Sequence, residues 1–405
     1  MSHAVEKPTD IRIPDSSLWA KLPMIGGALA VVGLGATLAV GAGEHGERAM
    51  FSYLWAFEVV LALTLGSIGW IMVDHTVRSQ WSPVVRRIAE TIAATAPLFA
   101  LLFIPIATIG FHGLYPWTHE TDEILEKKRW FLTTDFFFAR AAFYLLLWSV
   151  LGTLLHRLST AQDSSATSER DRKVHTLRKI SAVGIFLWAM SLSFGAVDWV
   201  MSLQPHWYST MFGVYFFAAS ILSFFAFMTL VAIGLQNAGL LKNAITTEHY
   251  HDLGKFVFGF TVFWAYIAFS QFVLIWYANL PEETEFYILR LEGGWDKVSY
   301  ALPLVHFFLP FLFLISRQVK RNTKLLAFAC VWILAVHALD FYWIILPNAG
   351  GHGHGAHLEP SWTDAAALVG VIGAFLAVFG VFLKKHAVIC INDPRLPASL
   401  AHENY

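Results

Sequence analysis

Six ionisable side chains lie inside long apolar stretches of the chain, where lipid would exclude an unpaired charge. One of them, Asp198, belongs to the apolar run between Ser191 and Ser220, which Gln-Pro-His-Trp interrupts. If this run begins as a helix, a rotation of 100° per residue places Gly195 and Ser202 on the face that carries Asp198. Another helix can cover such a stripe of small and polar residues, so we interpret Asp198 as functional or paired. The six residues are Glu58, Arg140, Asp198, His306, His337 and Asp340.

Arg140 has two interpretations. Its position near the start of a predicted helix allows the side chain to extend outward to the membrane surface. Alternatively the guanidinium is buried, and because an unpaired charge at this depth is costly, an acid must lie beside it. Tyr144, one turn further on, would share its face. The candidate acids are Glu58, Asp198 and Asp340.

The two buried histidines differ in their sequence context. His337 precedes Asp340 by three residues, so both share a helix face and the carboxylate could orient the imidazole or exchange a proton with it. A purely structural hydrogen bond between them is the alternative. His306 lies between Pro303 and Pro310, which predicts a kinked helix with backbone carbonyl groups freed toward a cavity. A single histidine of this kind is more often a satisfied core residue.

A smaller group of polar residues falls near the membrane surface that is predicted to be cytoplasmic. Asp74 and His75 end one apolar stretch, and Glu90 begins the next. They could form a half-channel through which protons reach the membrane interior from the cytoplasm. The alternative is that they are ordinary interfacial residues within reach of water.

The scaffold that must position these residues is predicted to be an all-α, polytopic integral membrane protein. Hydrophobic residues make up 56% of the 405 residues and charged residues 14%, unlike a soluble globular protein. Apolar stretches that can cross about 30 Å of hydrocarbon recur about ten times, and they are too long for the strands of a membrane barrel. The predicted helices 1 to 10 cover residues 22–41, 51–73, 88–110, 136–156, 180–203, 209–235, 254–279, 299–317, 325–346 and 363–384.

Lysine and arginine are concentrated in the loops on the side of both termini, which predicts that both termini are cytoplasmic. Residues 1–20 are polar and are expected to form a cytoplasmic tail without a secretory signal. Residues 21–385 would form the membrane domain and residues 386–405 a second cytoplasmic tail. Helices 2 to 5 (51–203) and 6 to 9 (209–346) could form two four-helix bundles flanked by helices 1 and 10. Residues 161–173 are expected to be a flexible inner loop.

The sequence offers few ligands for a cofactor. Two cysteines exclude a four-thiolate iron–sulfur cluster and a CxxCH haem attachment on this chain. Only His306 and His337 lie far enough inside helices to be axial haem ligands, and the phenylalanines that follow His306 leave little evident space for a porphyrin. The segment containing His352, His354 and His357 could bind Zn or Cu, with a solvated loop as the favoured alternative. Nothing in the sequence indicates nucleic-acid binding.

The segment DWVMSLQPHWYSTMFGVYFFA, residues 198–218, resembles the membrane subunits of alternative complex III, a bacterial quinol:cytochrome c oxidoreductase. The resemblance implies a ten-helix subunit of the polysulfide-reductase membrane-subunit type, without a bound cofactor of its own, in the bacterial inner membrane. It implies as partners a second ten-helix subunit, a periplasmic iron–sulfur subunit and c-type cytochrome subunits, with a terminal oxidase as a further candidate. Iron–sulfur clusters and haem c on those partners would carry the electrons.

Quinol oxidation releases protons, and protons that cross hydrocarbon need titratable groups or water within hydrogen-bond reach. We therefore hypothesise that the buried residues form a proton path or a relay beside a quinone, in which Arg140 tunes the acids. Two alternatives remain: an ion-coupled secondary transporter, which would also place charges at mid-membrane, and a purely structural subunit. The proton-path candidates are Glu58, Asp198, His337, Asp340, His306, Arg140, Asp74, His75 and Glu90.

Overall fold

The computed structural model describes residues 11–43, 46–350 and 356–404. It confirms the all-α class, because these residues contain ten helices that are long and apolar enough to span a membrane and no strand. Helices 1 to 10 are Leu18–Gly41, Glu47–Val77, Pro83–Leu114, Thr134–Gln162, Thr167–Leu203, Phe212–Asn237, Thr247–Ala278, Trp295–Leu314, Thr323–Gly350 and Trp362–Lys385.

Two of the spanning helices contain π-helical segments. In helix 3 the segment Ile106–Gly110 follows Pro105, and in helix 8 the segment Pro303–Phe308 begins at a proline. Proline lacks the N–H that an α-helical ladder requires, so a wider turn is a regular way to accommodate it. The predicted irregularity around His306 is thus present as a π-helical segment.

Short helices lie outside the ten spans and connect them or cover their ends. They are Pro116–Thr118, Glu123–Lys128, Pro281–Leu289, Arg317–Arg321 and Leu396–Leu400.

The expectation of a flexible loop at residues 161–173 is wrong. Helix 4 continues to Gln162 and helix 5 begins at Thr167, which leaves residues 163–166 as the connection. The polar composition is instead that of a solvated helix start: Lys173 forms an i,i+4 ion pair of 2.8 Å with Glu169 and donates a hydrogen bond to the Ala161 carbonyl.

The helices pack as two rings that share a central contact. Helix 2 contacts helix 3, helix 3 contacts helix 4, helix 4 contacts helix 5, and helix 5 returns to helix 2. Helices 6, 7, 8 and 9 form a second ring with the same order of contacts. Helices 2 and 6, the first members of the rings, pack against each other and are the most buried of the ten. We call helices 2 to 5 the first ring and helices 6 to 9 the second ring.

Helices 1 and 10 form a close antiparallel pair outside the rings. A Cβ atom added at Gly33 would lie 2.5 Å from the backbone nitrogen of Gly370, and one added at Gly26 would lie 2.5 Å from that of Ala377. Real Cβ atoms do not come this close to backbone nitrogens, so the contact requires glycine at both positions, and close approach at small residues is a common way for membrane helices to associate. The pair packs on helix 2 and so joins the two ends of the membrane domain.

Both ends of the described chain lie at one end of the helix bundle. The Val388 N–H donates to the Ile11 carbonyl at 2.9 Å, and Lys384 forms an ion pair of 2.8 Å with Asp15. We call this end the tail face and the other end, which carries residues 115–133 and 279–294, the loop face.

Candidate functional site

The first buried acid, Asp198, is paired with Arg140 near the loop face of the first ring. Arg140 Nε and Nη2 each donate to one carboxylate oxygen at 2.8 Å, and the Tyr144 hydroxyl donates to Oδ2 at 2.9 Å. Asp198 is fully buried and Arg140 is 9% exposed. The buried pairing of Arg140 with an acid is confirmed, and Asp198 is the partner among the three candidates.

The surroundings of this pair fix the guanidinium in place. Arg140 Nη1 donates to the Phe131 carbonyl at 3.0 Å, and the guanidinium carbon lies 3.9 Å from the ring centre of Phe131 and 4.2 Å from that of Phe136. Two parallel N–H···O bonds and two aromatic faces make this a specific site for arginine. The geometry describes a buried ion pair whose hydrogen bonds are satisfied.

The second buried acid, Asp340, lies in the second ring and has uncharged partners. The Tyr215 hydroxyl donates to Oδ1 at 2.5 Å and the Trp264 indole N–H donates to Oδ2 at 3.1 Å. Asp340 is fully buried, and no lysine or arginine in the described ranges forms an ion pair with it. Its carboxyl group can therefore gain or lose a proton without breaking an ion pair.

The two histidines contact other groups than expected. His337 does not pair with Asp340: its Nε2–H donates to the Val59 carbonyl of helix 2 at 3.2 Å, and the donors to the carboxylate are Tyr215 and Trp264. His306 stacks on Trp264 with 3.7 Å between ring centres. Neither of its ring nitrogens has a hydrogen-bond partner in the described part of the chain.

A cavity of about 700 Å³ lies beside Asp340, between helices 7 and 8. Its walls are mainly aromatic and aliphatic, and its polar groups include Asp340, Tyr215, Gln271 and Ser299. Tyr266 and Tyr300, at its mouth, are 64% and 73% exposed on the outer surface of the helix bundle. Two of the phenylalanines that follow His306, Phe307 and Phe308, line this cavity.

Glu58 of helix 2 is buried where the rings meet. Its neighbour Val59 accepts the His337 hydrogen bond, and Phe57 packs against Trp199 at the end of helix 5. Glu58 is 1% exposed, and its Oε1 atom has no hydrogen-bond partner among the described residues. An orphaned carboxyl oxygen in such a place indicates a protonated group or a contact with water.

Asp74, His75 and Glu90 lie in a buried charge cluster at the tail face. Arg86 pairs with Glu90 at 3.0 Å, with Asp74 at 3.3 Å, and with Asp393 of the C-terminal segment. The interpretation of these three residues as water-accessible interfacial groups is wrong, because their exposed fractions are 5% or less. The segment after helix 10 folds back over them and removes the water.

The C-terminal segment extends the cluster with its own charges. Arg395 pairs with Asp393 at 3.1 Å and donates to the Ser79 carbonyl at 3.0 Å. Although burial alone would raise the pKa of Asp393, the guanidinium groups of Arg86 and Arg395 hold it well below its usual range. Burial raises the pKa of the Cys390 thiol to about 11, so this cysteine is protonated at neutral pH.

Asp163 is a further acid of the tail face, in the short connection between helices 4 and 5. Arg87 donates two hydrogen bonds to its carboxylate, at 2.9 and 3.0 Å. Burial nevertheless raises the pKa of Asp163 to about 6, because the loss of hydration outweighs the attraction of Arg87.

Arg290, between helices 7 and 8, is a buried cation that the sequence reasoning did not single out. It is 1% exposed and donates to three backbone carbonyls, those of Phe286, Trp343 and Ile344, at 2.6–3.0 Å. Burial lowers the pKa of Arg290 to about 9. Two of these carbonyls belong to the C-terminal part of helix 9, where a positive charge is favoured by the helix dipole.

Of the three histidines proposed as metal ligands, the structure describes one. His352 and His354 lie outside the described residues, while His357 packs near Gly293 at the loop face. Within the described ranges, no group of three or more His, Cys, Asp or Glu side chains is arranged to hold a metal ion.

Fold and site together define a multi-pass α-helical membrane protein with two buried acids of different character and a cavity beside one of them. A scan against protein-family models finds no match, and no curated protein matches the chain either. The class of this protein is therefore assigned from its ten spanning helices and from the residues buried between them.

Proposed function

We propose that the chain is an integral membrane subunit of a respiratory quinol:cytochrome c oxidoreductase of the alternative complex III type. In this proposal it contributes buried acids through which protons released by quinol oxidation leave the membrane. The resemblance of residues 198–218 supports the family, and this segment supplies both Asp198 and Tyr215, one residue to each buried acid site.

One observation carries the proton-path part of the proposal: Asp340 is fully buried with uncharged hydrogen-bond donors only. A carboxylate that carries protons must exist in both protonation states, and a neighbouring guanidinium would hold it ionised. Asp340 meets this condition and Asp198 does not. We therefore assign proton exchange to Asp340. Glu58 and His337 are the candidates for proton transfer between Asp340 and the first ring. Arg140 and Asp198 are assigned a structural role.

The path needs water to be complete. His337 contacts helix 2 at Val59, next to Glu58, but the described side chains form no continuous hydrogen-bonded chain from Asp340 to Glu58. Water molecules between polar groups conduct protons as well as side chains do and would bridge these positions.

The family is tested by purifying the protein from its native membrane in mild detergent. We expect c-type cytochromes and an iron–sulfur subunit to purify with it, visible haem absorption, and quinol:cytochrome c activity. A colourless chain that purifies alone would overturn the proposal.

The proton role is tested in the assembled complex with Asp340→Asn, using Asp171→Asn as a matched control because Asp171 is 58% exposed. We expect the first variant to assemble and to lose at least about half of the protons released per electron transferred, and the control to behave as wild type. Unchanged proton release in an assembled Asp340→Asn complex would remove Asp340 from the path.

An ion-coupled secondary transporter is the second candidate. The π-helical segments of helices 3 and 8, together with a cavity beside a buried acid, are features that transporters use to bind substrates at mid-membrane. Ion-dependent solute uptake by the isolated chain in liposomes would favour this function over the first.

A further inference from the structure

We propose that the cavity between helices 7 and 8 binds the ring of a hydroquinone-type amphiphile, whose hydroxyl group donates a hydrogen bond to Asp340 and whose apolar tail leaves toward the lipid. The existence of an amphiphile site follows from the cavity itself. The choice of a hydroquinone among amphiphiles rests on the proposed function.

The size and position of the cavity suit a membrane-dissolved ligand. Its volume of about 700 Å³ falls within the range of small-molecule sites in proteins, roughly 300–1,000 Å³. Tyr266, Phe269 and Tyr300 at its edge are each more than 60% exposed on the surface that faces lipid. A ligand can therefore enter sideways from the membrane without crossing either polar face.

The walls suit a flat ring. Trp264, Tyr287 and Trp343 line the cavity together with Phe307 and Phe308. Aromatic side chains favour offset or edge-to-face contacts with another ring and bury a large apolar area. Pro303 also lines the cavity, and the π-helical turn that begins there widens helix 8 next to it.

The polar groups suit a ligand with hydroxyl or carbonyl oxygens and no negative charge. Each oxygen of Asp340 accepts one hydrogen bond from the protein, which leaves a second lone pair on each for a ligand hydroxyl. Gln271, which is 4% exposed, and Tyr287 offer further hydrogen-bonding groups in the lining. Among the described residues no lysine or arginine lines the cavity, so a phospholipid phosphate would be left unpaired there.

The experiment uses the protein purified from its native membrane and an azido-quinone with an isoprenoid tail as the photoaffinity probe. Labelled peptides are mapped by mass spectrometry, with unlabelled hydroquinone, phosphatidylglycerol or a quaternary-ammonium amphiphile as competitors. Ala268→Trp fills the cavity from its wall, and Ala182→Trp, on an exposed position of helix 5, is the matched control. Asp340→Asn removes the carboxylate and keeps the volume.

We expect labelling within residues 262–308 that hydroquinone displaces. The apparent affinity should fall at least about tenfold in Ala268→Trp and about three- to tenfold in Asp340→Asn, as the loss of one hydrogen bond to a ligand would cause, and should not change in Ala182→Trp. The thermal unfolding temperature of each variant shows whether its fold is intact. A variant that unfolds at the wild-type temperature but binds the probe more weakly has lost the site and not the fold.

Labelling elsewhere, or labelling that phosphatidylglycerol displaces equally well, would overturn the proposal, because the cavity would then hold ordinary lipid. Displacement by the quaternary-ammonium compound alone would overturn the choice of a hydroquinone. Failure of this proposal and failure of the proposed function can be told apart: an active complex without labelling here refutes only this site, and labelling of a chain that purifies without redox partners refutes only the function.

Discussion

Each ring has a fully buried aspartate on its last helix, and the groups around these two acids differ in charge. Asp198 is on the last helix of the first ring and accepts two hydrogen bonds from Arg140. Asp340 is on the last helix of the second ring and accepts hydrogen bonds from Tyr215 and Trp264. The same residue type in corresponding helices therefore forms an ion pair in one ring and hydrogen bonds with uncharged donors in the other, and the neighbouring side chains make the difference.

The largest effect should follow from removing the cation of the first ring. Arg140→Gln leaves the carboxylate of Asp198 buried and unpaired, and we expect a loss of about 3–5 kcal/mol in the free energy of unfolding. The measurement is denaturant unfolding in detergent. The double variant Arg140→Gln/Asp198→Asn should recover part of the loss, since no charge remains. A change below about 1 kcal/mol for the single variant would contradict an ionised, buried Asp198.

A smaller and more selective effect is expected from the two tyrosines that donate to the acids. Tyr144→Phe removes a hydrogen bond to a carboxylate that is paired with Arg140 and should cost about 2 kcal/mol, whereas Tyr215→Phe removes one to a carboxyl group without a cationic partner and should cost about 1 kcal/mol. The two variants are matched in chemistry and are both measured by denaturant unfolding. Equal losses, or a larger loss for Tyr215→Phe, would indicate that the two acids share one charge state.

Asp340→Asn should change stability by about 1 kcal/mol or less. The amide oxygen can accept from Trp264 and the amide NH₂ can donate to the Tyr215 oxygen, so neither partner is orphaned. Thermal unfolding at neutral pH measures the change. A loss as large as that of Arg140→Gln would show that Asp340 is held by a charge and would remove the contrast between the rings.

Asp163 is an intermediate case. Its carboxylate is paired with Arg87, yet burial disfavours the charged form of the carboxylate. Its pKa rises from 3.8 to about 6 on folding, so the folded protein favours the protonated form. This contribution to stability is fully present below pH 3.8 and is lost as the pH rises through about 6. The stability of Asp163→Asn relative to wild type should therefore increase between pH 4 and pH 7. Unfolding temperatures across this range test the sign. A difference that does not vary with pH would contradict it.

Much of the fold was predictable because the membrane imposes simple rules on the sequence. The lengths of the apolar stretches predicted ten spanning helices. The free-energy cost of an unpaired guanidinium in the membrane predicted that a buried Arg140 lies beside an acid. The helix starts were less predictable, because the polar first turns of helix 5 around Glu169 and Lys173 have no hydrophobic signal.

The candidate sites were predictable in part. Asp340 and His306 stood out as polar residues in apolar helices, but Tyr215 and Trp264 did not, since aromatic residues make up 15% of this chain. The cavity could not be foreseen, because it depends on which helices are neighbours and on the π-helical turn at Pro303. In the sequence Arg290 lies in a predicted loop and has no feature that distinguishes it, and only the fold shows that backbone carbonyls surround it.

The glycine contact between helices 1 and 10 constrains the order in which the protein can be built. Helix 1 is synthesised first, yet the surface that its glycines match appears only when residues 362–385 have been made. At about 5–20 residues per second, helix 1 waits on the order of tens of seconds for its partner. Helix 10 thus completes the pair, and a truncation before Trp362 would leave the glycine face of helix 1 without the surface that it matches.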